Sequence, residues 1–468
     1  MKIVSADNSA LVKEVSVSQA AYEFDSAVVT LTKFTALSPE SQTVTLTKCT
    51  GSWTVNAPEW VTVTPNAGSG STTLTISARE NVTMSELSGS VRIVSKENSN
   101  LVKVVNISQA AYEFDTTPVT KQFVAMGAVA QNVTLSKCTG SWTVDVSEPW
   151  VSVSPESGEG GGVSYTISVG DNYNTAQRRA TVKIVSTDNS ALVKEITIVQ
   201  AAYEFDQSAA TIQFVAYGAS AQSVSLSKCT GSWKATSSES WLTVSPTNGS
   251  GSATISLSAA NNLTTAARNA VVRIESVENP SLVKVVNVSQ NAYELTVSGN
   301  VTEYAPMNGA TQNISVVCSG KWTISVPSWA TAQPASGTGN ATVAISVTNN
   351  TNNQKRSGNV VVSSSDVSAL SRSVSISQAA YALSVTPTTL SFAVGATAAK
   401  NVAVTCSGSW TYTVSAGATW LSASKSGGNL VVTPTANATG AERKATITIT
   451  SSDNAALKYT VQVTQAGK

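Results

Sequence analysis

The chemistry open to this chain is limited first by what it lacks. None of its 468 residues is histidine, which removes the usual general base, most zinc sites and every serine–histidine triad. Two carboxylates roughly 5–10 Å apart in a cleft would still suffice for glycoside hydrolysis. The acidic residues, however, fall mostly in turns and recur with a period, so the chain reads as non-enzymatic, with no cofactor and no metal. One acidic residue marks the last hairpin turn of every copy, at Asp7, Glu97, Asp188, Glu278, Asp366 and Asp453, usually followed by Asn. A calcium site needs more oxygen ligands close by, and Asx-turn chemistry is the simpler expectation. Five cysteines, Cys49, Cys138, Cys229, Cys318 and Cys406, occupy one equivalent position each. No copy therefore holds the pair an internal disulfide needs. They read as buried thiols beside a Trp, with links between chains or a metal as the other readings.

The aromatic residues are the remaining candidates. The ten Trp fall into five pairs: Trp53 with Trp60, Trp142 with Trp150, Trp233 with Trp241, Trp322 with Trp329, and Trp410 with Trp420. An exposed ring can stack on the apolar face of a sugar while nearby Asn, Asp and Thr bond its hydroxyls. The first Trp of each pair sits in the alternating pattern of a central strand, where a large ring fills a core. The second follows a loop of variable length, so Trp60, Trp150, Trp241, Trp329 and Trp420 are the candidate ligand-binding residues, with core packing as the competing reading. An Arg recurs before the sixth strand (Arg178, Arg268, Arg356, Arg443; Leu87 in the first copy) and is expected to anchor a loop or pair with a carboxylate. The Asn-x-Thr triplets at Asn81 and Asn132 are expected by chance in a Ser/Thr-rich chain.

These residues are positioned by a repeat. Gln-Ala-Ala-Tyr begins at Gln19, Gln109 and Gln200, becomes Gln-Asn-Ala-Tyr at Gln290, returns at Gln378 and survives as Gln-Ala at Gln465, in phase with Cys-Thr/Ser-Gly-x-Trp. Residues 1–20 match 183–201 and read as the closing hairpin of a truncated repeat, as in an excerpt of a longer array. Five full repeats follow, at 21–110, 111–201, 202–291, 292–379 and 380–468. A lone two-stranded hairpin is marginal in water, so residues 1–20 are expected to fray or pack on a neighbour.

Period-two runs such as Val44/Leu46, Leu74/Ile76 and Val91/Ile93 predict half-buried strands. Turn signals at Ser38-Pro-Glu-Ser, Pro65-Asn-Ala-Gly-Ser-Gly and Glu97-Asn-Ser-Asn separate them. About seven strands in about 90 residues predict an immunoglobulin-like β-sandwich, so the fold class is all-β, with tandem sandwiches in an elongated rod. Short joints make the neighbouring repeats, touching end to end, the first partners. A net charge of +1 argues against nucleic acid as a partner, and no run of 18 apolar residues suggests a membrane span.

The string Cys-Thr-Gly-Ser-Trp, the run Trp60-Val-Thr-Val-Thr-Pro-Asn-Ala-Gly-Ser-Gly-Ser and the closing Val-Asn-Ile-Ser-Gln109 resemble the BACON family, the Bacteroidetes-associated carbohydrate-binding often N-terminal domains. The first copy departs from it at Leu87, and the fifth lacks the Pro in Trp420-Leu-Ser-Ala-Ser-Lys. The resemblance implies immunoglobulin-type sandwiches of gut bacterial surface proteins and glycan-degrading enzymes, and of arrays carried by crAss-like gut phages. It implies glycans or mucin glycoproteins as partners, bound weakly and multivalently, and an extracellular place on a phage virion or bacterial surface. The alternative is a stalk or spacer with no ligand of its own.

Overall fold

Thr72–Ala78 shows why these residues form strands: Thr73 and Thr75 face outward while Leu74 and Ile76 are fully buried. The same period of two recurs along the chain, and β-branched side chains suit a pleated, half-buried surface. The computed structural model describes residues 1–468 and is built of β-strands without α-helix.

The second sandwich illustrates the plan. A five-stranded sheet runs in the order Val119–Phe123, Val193–Gln200, Arg178–Ser186, Ser141–Val146, Ser157–Glu159. A three-stranded sheet runs Gln131–Leu135, Val163–Val169, Val151–Ser154. The first and last strands pair in parallel, Val119 opposite Ile196, and the other pairs are antiparallel. Between the sheets Trp142, Tyr165, Ile167, Val182, Ile184, Ile196 and Ile198 are essentially inaccessible. The first and third sandwiches repeat this five-plus-three arrangement, whereas residues 295–378 and 383–465 form two four-stranded sheets each.

The strand gained by the smaller sheet is traceable to one residue. In the first three copies Tyr-Glu-Phe is followed by Asp25, Asp115 or Asp206, and the pairing of that segment stops at a single bridge, such as Phe114 with Cys138. The carboxylate turns inward to a buried lysine: Asp25 to Lys103 at 2.9 Å, Asp115 to Lys194 at 2.9 Å, Asp206 to Lys284 at 3.1 Å. In the last two copies Thr296 and Ser384 replace Asp, and the segment continues as a strand, Leu295–Ser298 or Leu383–Thr386.

Two expectations need correction. Each sandwich has eight strands, not about seven, and in the first four the glycine-rich run read as a turn includes a three-residue strand beside the core Trp. Gly68, Gly158, Gly249 and Gly337 cross that ring, and a Cβ there would lie 2.4–2.6 Å from the Trp Cζ2. Residues 1–20 neither fray throughout nor pack on a neighbour. Lys2–Val4 pairs with Val12–Glu14, and every side chain of these strands is exposed.

The chain divides into two compact units. Met1–Phe205 with Lys228–Ser232 and Val277–Asn279 forms one, and Asp206–Ser227, Trp233–Ser276 and Pro280–Lys468 form the other.

Candidate functional site

Each sandwich carries three clusters of potentially functional side chains, built alike. The first surrounds the core Trp. Trp142 is 1% exposed, and its indole N–H donates to Gly160 O at 3.2 Å. Trp53, Trp233 and Trp322 make the same bond to Gly70, Gly251 and Gly339. These rings have no surface to offer a ligand, as the strand pattern predicted.

The second cluster holds the five candidate tryptophans. Trp60, Trp150, Trp241, Trp329 and Trp420 are all half-buried, and Trp60, Trp150, Trp329 and Trp420 pack against their cores. Arg178 lies over Trp150 at 4.2 Å from the ring centroid, and Arg268, Arg356 and Arg443 cover Trp241, Trp329 and Trp420 at 4.4–4.7 Å. Each guanidinium is fixed in turn. Arg178 Nε donates to Gln200 Oε1 at 2.8 Å and Nη2 to Gly170 O at 2.6 Å. Gln200, fully buried, donates to the carbonyls of Val124, Ala125 and Gly170. A sugar ring cannot stack on the covered face unless the arginine leaves. Trp60 differs: with Leu87 in the Arg position, no guanidinium stacks on it, and Gln109 Oε1 is buried without a hydrogen-bond partner.

The third cluster joins the recurrent acid to the first tyrosine. Tyr112 Oη donates to Asp188 Oδ2 at 2.9 Å and meets Ser186 Oγ at 2.8 Å, while the Ser141 amide donates to the same carboxylate. Glu278, Asp366 and Asp453 clamp Tyr203, Tyr293 and Tyr381 in the same way. Burial pushes the Tyr112 and Tyr381 hydroxyls up to about 12. At Glu278 burial opposes ionisation, but the Ser232 amide and the Tyr203 hydroxyl outweigh it and lower the pKa. The acid is thus a tertiary clamp, not the expected Asx turn. The Asx turn belongs to the following residue, as where Asn189 Oδ1 accepts from the Ala191 amide at 3.1 Å.

The cysteines close the same corner. All five are free, and only Cys318 is fully buried, so the expectation of buried thiols is too strong for the other four. Cys138 Sγ donates to Gly140 O at 3.1 Å, and burial pushes its thiol up, away from a reactive thiolate. No three Cys, Asp or Glu side chains gather as a metal-ligand set, and no helix is long and apolar enough to cross a membrane.

Within this geometry the family relation is decided by four matches to the model of BACON, described as "Putative binding domain, N-terminal", at residues 51–110, 140–201, 231–291 and 321–379, which together span more than half of the chain. The chain belongs to the BACON family. Its last sandwich, residues 382–467, matches the related model described as a viral BACON domain. That split coincides with a local change: the fifth BACON sandwich lacks the glycine strand, and Lys425 Nζ lies 4.4 Å from the Trp410 ring centroid instead.

Solved structures share segments at low similarity. A Bacteroides ovatus GH5 xyloglucanase in complex with a XXXG heptasaccharide is 24% identical over 23% of this chain, with a TM-score of 0.18. The chain spans 22% of that enzyme. The titin I9–I11 tandem is 12% identical, covering 56% of this chain and 98% of that chain at a TM-score of 0.32. Zebrafish RET cadherin-like domains 1 to 4 are 11% identical, covering 76% and 100% at a TM-score of 0.24. The comparison with curated proteins returns no match.

Proposed function

We propose that this BACON array is a non-catalytic binding protein that holds glycans or mucin glycoproteins weakly at each sandwich and gains affinity by repetition. The observation that carries the reading is the recurrence of one half-exposed indole, Trp60, Trp150, Trp241, Trp329 and Trp420, at the same edge of five sandwiches. Among them Trp60 is the natural platform, because no guanidinium occupies its face. The match to a viral BACON domain favours a virion or a bacterial surface as the location.

A second reading follows from the same cluster. In four sandwiches the indole lies under an arginine locked to a buried glutamine, an arrangement that also suits a spacer with no ligand of its own. Binding of the full chain to a glycan and mucin array separates the two. Saturable binding that falls in Trp60→Tyr, with folding intact, supports adhesion. Absence of binding to every glycan leaves the spacer.

A further inference from the structure

Within each unit one joint between consecutive sandwiches carries the same asparagine contact. At the first joint Asn189 Nδ2 donates to Val82 O at 2.8 Å, and at the last joint Asn454 Nδ2 donates to Thr351 O at 2.8 Å. In the fourth sandwich that position is Val367, which packs into a cluster that joins Ala216 and Tyr217 of the third sandwich to the fourth sandwich's core.

The same joint, between residues 215–267 and 291–340 of the second unit, holds a recess of about 710 Å³. Its counterpart at the first joint is smaller, about 470 Å³, and is crossed by the Lys33–Glu86 ion pair at 2.8 Å. Two exchanges distinguish the later one. Tyr217 stands where the earlier sandwiches have Leu37 and Met126, and its ring meets Tyr293 edge-on at 6.4 Å. Val317 stands where they have Lys48, Lys137 and Lys228. Lys137 and Lys228 each pair with the glutamate after the tyrosine, at 3.6 Å, so its counterpart here, Glu294, is left without a cation.

The recess thus combines the half-buried ring of Tyr217, which rests on the buried Tyr293, and an apolar wall with an unneutralised carboxylate. Asn291 and Asn340 also line it, and in each the side-chain oxygen is already occupied, by Gln213 Nε2 and by the Cys318 amide. Their amide groups are left to face a ligand as donors. Donors and acceptors beside an aromatic face match a sugar, whose hydroxyls give and receive hydrogen bonds while its C–H face lies on a ring. An ammonium ligand would use the Tyr217 ring and Glu294 but would have no use for the amide donors.

From these features we infer that this joint is a saccharide site, so that the chain carries one specialised site besides its five repeated edges. The inference rests on the glycan-binding reading and names a place for it. Saturation-transfer NMR on the full chain tests it, with N-acetyllactosamine, cellotriose, chitotriose and maltotriose as probes. The double variant Tyr217→Met, Val317→Lys restores the residues of the second sandwich, so it removes the ring and places an ammonium beside Glu294 without introducing a residue foreign to this fold.

Transfer from one probe in the parent, reduced about tenfold or more in the double variant and by Glu294→Gln, is the expected result; each lost contact of about 1.4 kcal/mol is a factor of ten. Transfer that survives the double variant overturns the site and leaves the glycan reading standing elsewhere. Transfer from no probe sinks both. Transfer from tetramethylammonium alone, lost in the double variant, overturns the saccharide assignment in favour of a cation.

Discussion

Replacing Leu87 by Arg should stabilise the first sandwich. In the other four, the arginine at this position donates to a buried glutamine at 2.8–2.9 Å and stacks on an indole. In the first, Gln109 Oε1 is buried and unpartnered, and no guanidinium covers Trp60. A charge-assisted bond to a buried acceptor contributes about 1.5–3 kcal/mol, and an exposed cation–π contact about 0.5–1 kcal/mol. Ordering the arginine costs about 2 kcal/mol, and its methylene stem takes over the packing of the half-buried leucine. The balance is about 1 kcal/mol, or roughly a fivefold change in the folded-to-unfolded ratio. Peptide-resolved hydrogen exchange on the full chain reads it locally. Amides of Val102–Gln109 should exchange about fivefold more slowly in L87R, while those of Val193–Gln200 should exchange faster in Arg178→Leu. If neither segment changes, or both change in the same direction, the orphaned oxygen has no energetic consequence and the reasoning is wrong.

Three further outcomes are expected. Gly158→Ala puts a Cβ about 2.4 Å from Trp142 Cζ2 and should destabilise the second sandwich by about 1–3 kcal/mol, visible as a change in near-ultraviolet dichroism; an unchanged signal and stability would show that the ring can move aside. The buried Asp–Lys pairs should make the first three sandwiches acid-sensitive. Burial opposes ionisation, but the Lys103 ammonium and the hydrogen bonds from Ala27 and Thr47 together outweigh it and hold Asp25 at about 2, and Asp115 and Asp206 are lowered likewise. A depressed carboxylate contributes stability that is complete above about pH 4 and lost as pH falls toward 2, so exchange protection should fall first in sandwiches one to three; parallel loss in all five would refute this. Finally, Asn81 is 2% exposed and donates to Ser85 O and Ala110 O, whereas Asn132 is exposed. Expressed through a eukaryotic secretory pathway, the chain should carry glycan at Asn132 and none at Asn81 by mass spectrometry; an occupied Asn81 would mean that its loop opens before the sandwich closes.

The fold was largely legible because its signals are local and repeated. Alternation marked the strands, and the first Trp of each pair announced a core position. What escaped depends on residues far apart in sequence. Gln109, Gln200 and their counterparts served only as markers of period, since nothing near them reveals that three distant carbonyls converge on one amide. Asp115 and Lys194 lie 79 residues apart, so each alone reads as a surface charge. The acid of the last turn was misread because its partner, a tyrosine more than 70 residues earlier, is invisible from the turn itself. The arginine over the second Trp could have been found: it recurs in phase with that Trp, and the first copy loses it.

The parallel pairing of first and last strands has a mechanical consequence. Tension applied through the two ends of a sandwich loads those hydrogen bonds in shear, all at once, instead of opening them one by one. The second and third sandwiches resist with five paired positions each, the fifth with four, and the first with two and a bridge at Phe34. The fourth has the single bridge of Tyr304 to Gln378. Under load it is the weak link, and its yielding would lengthen the chain while the other four sandwiches keep their form.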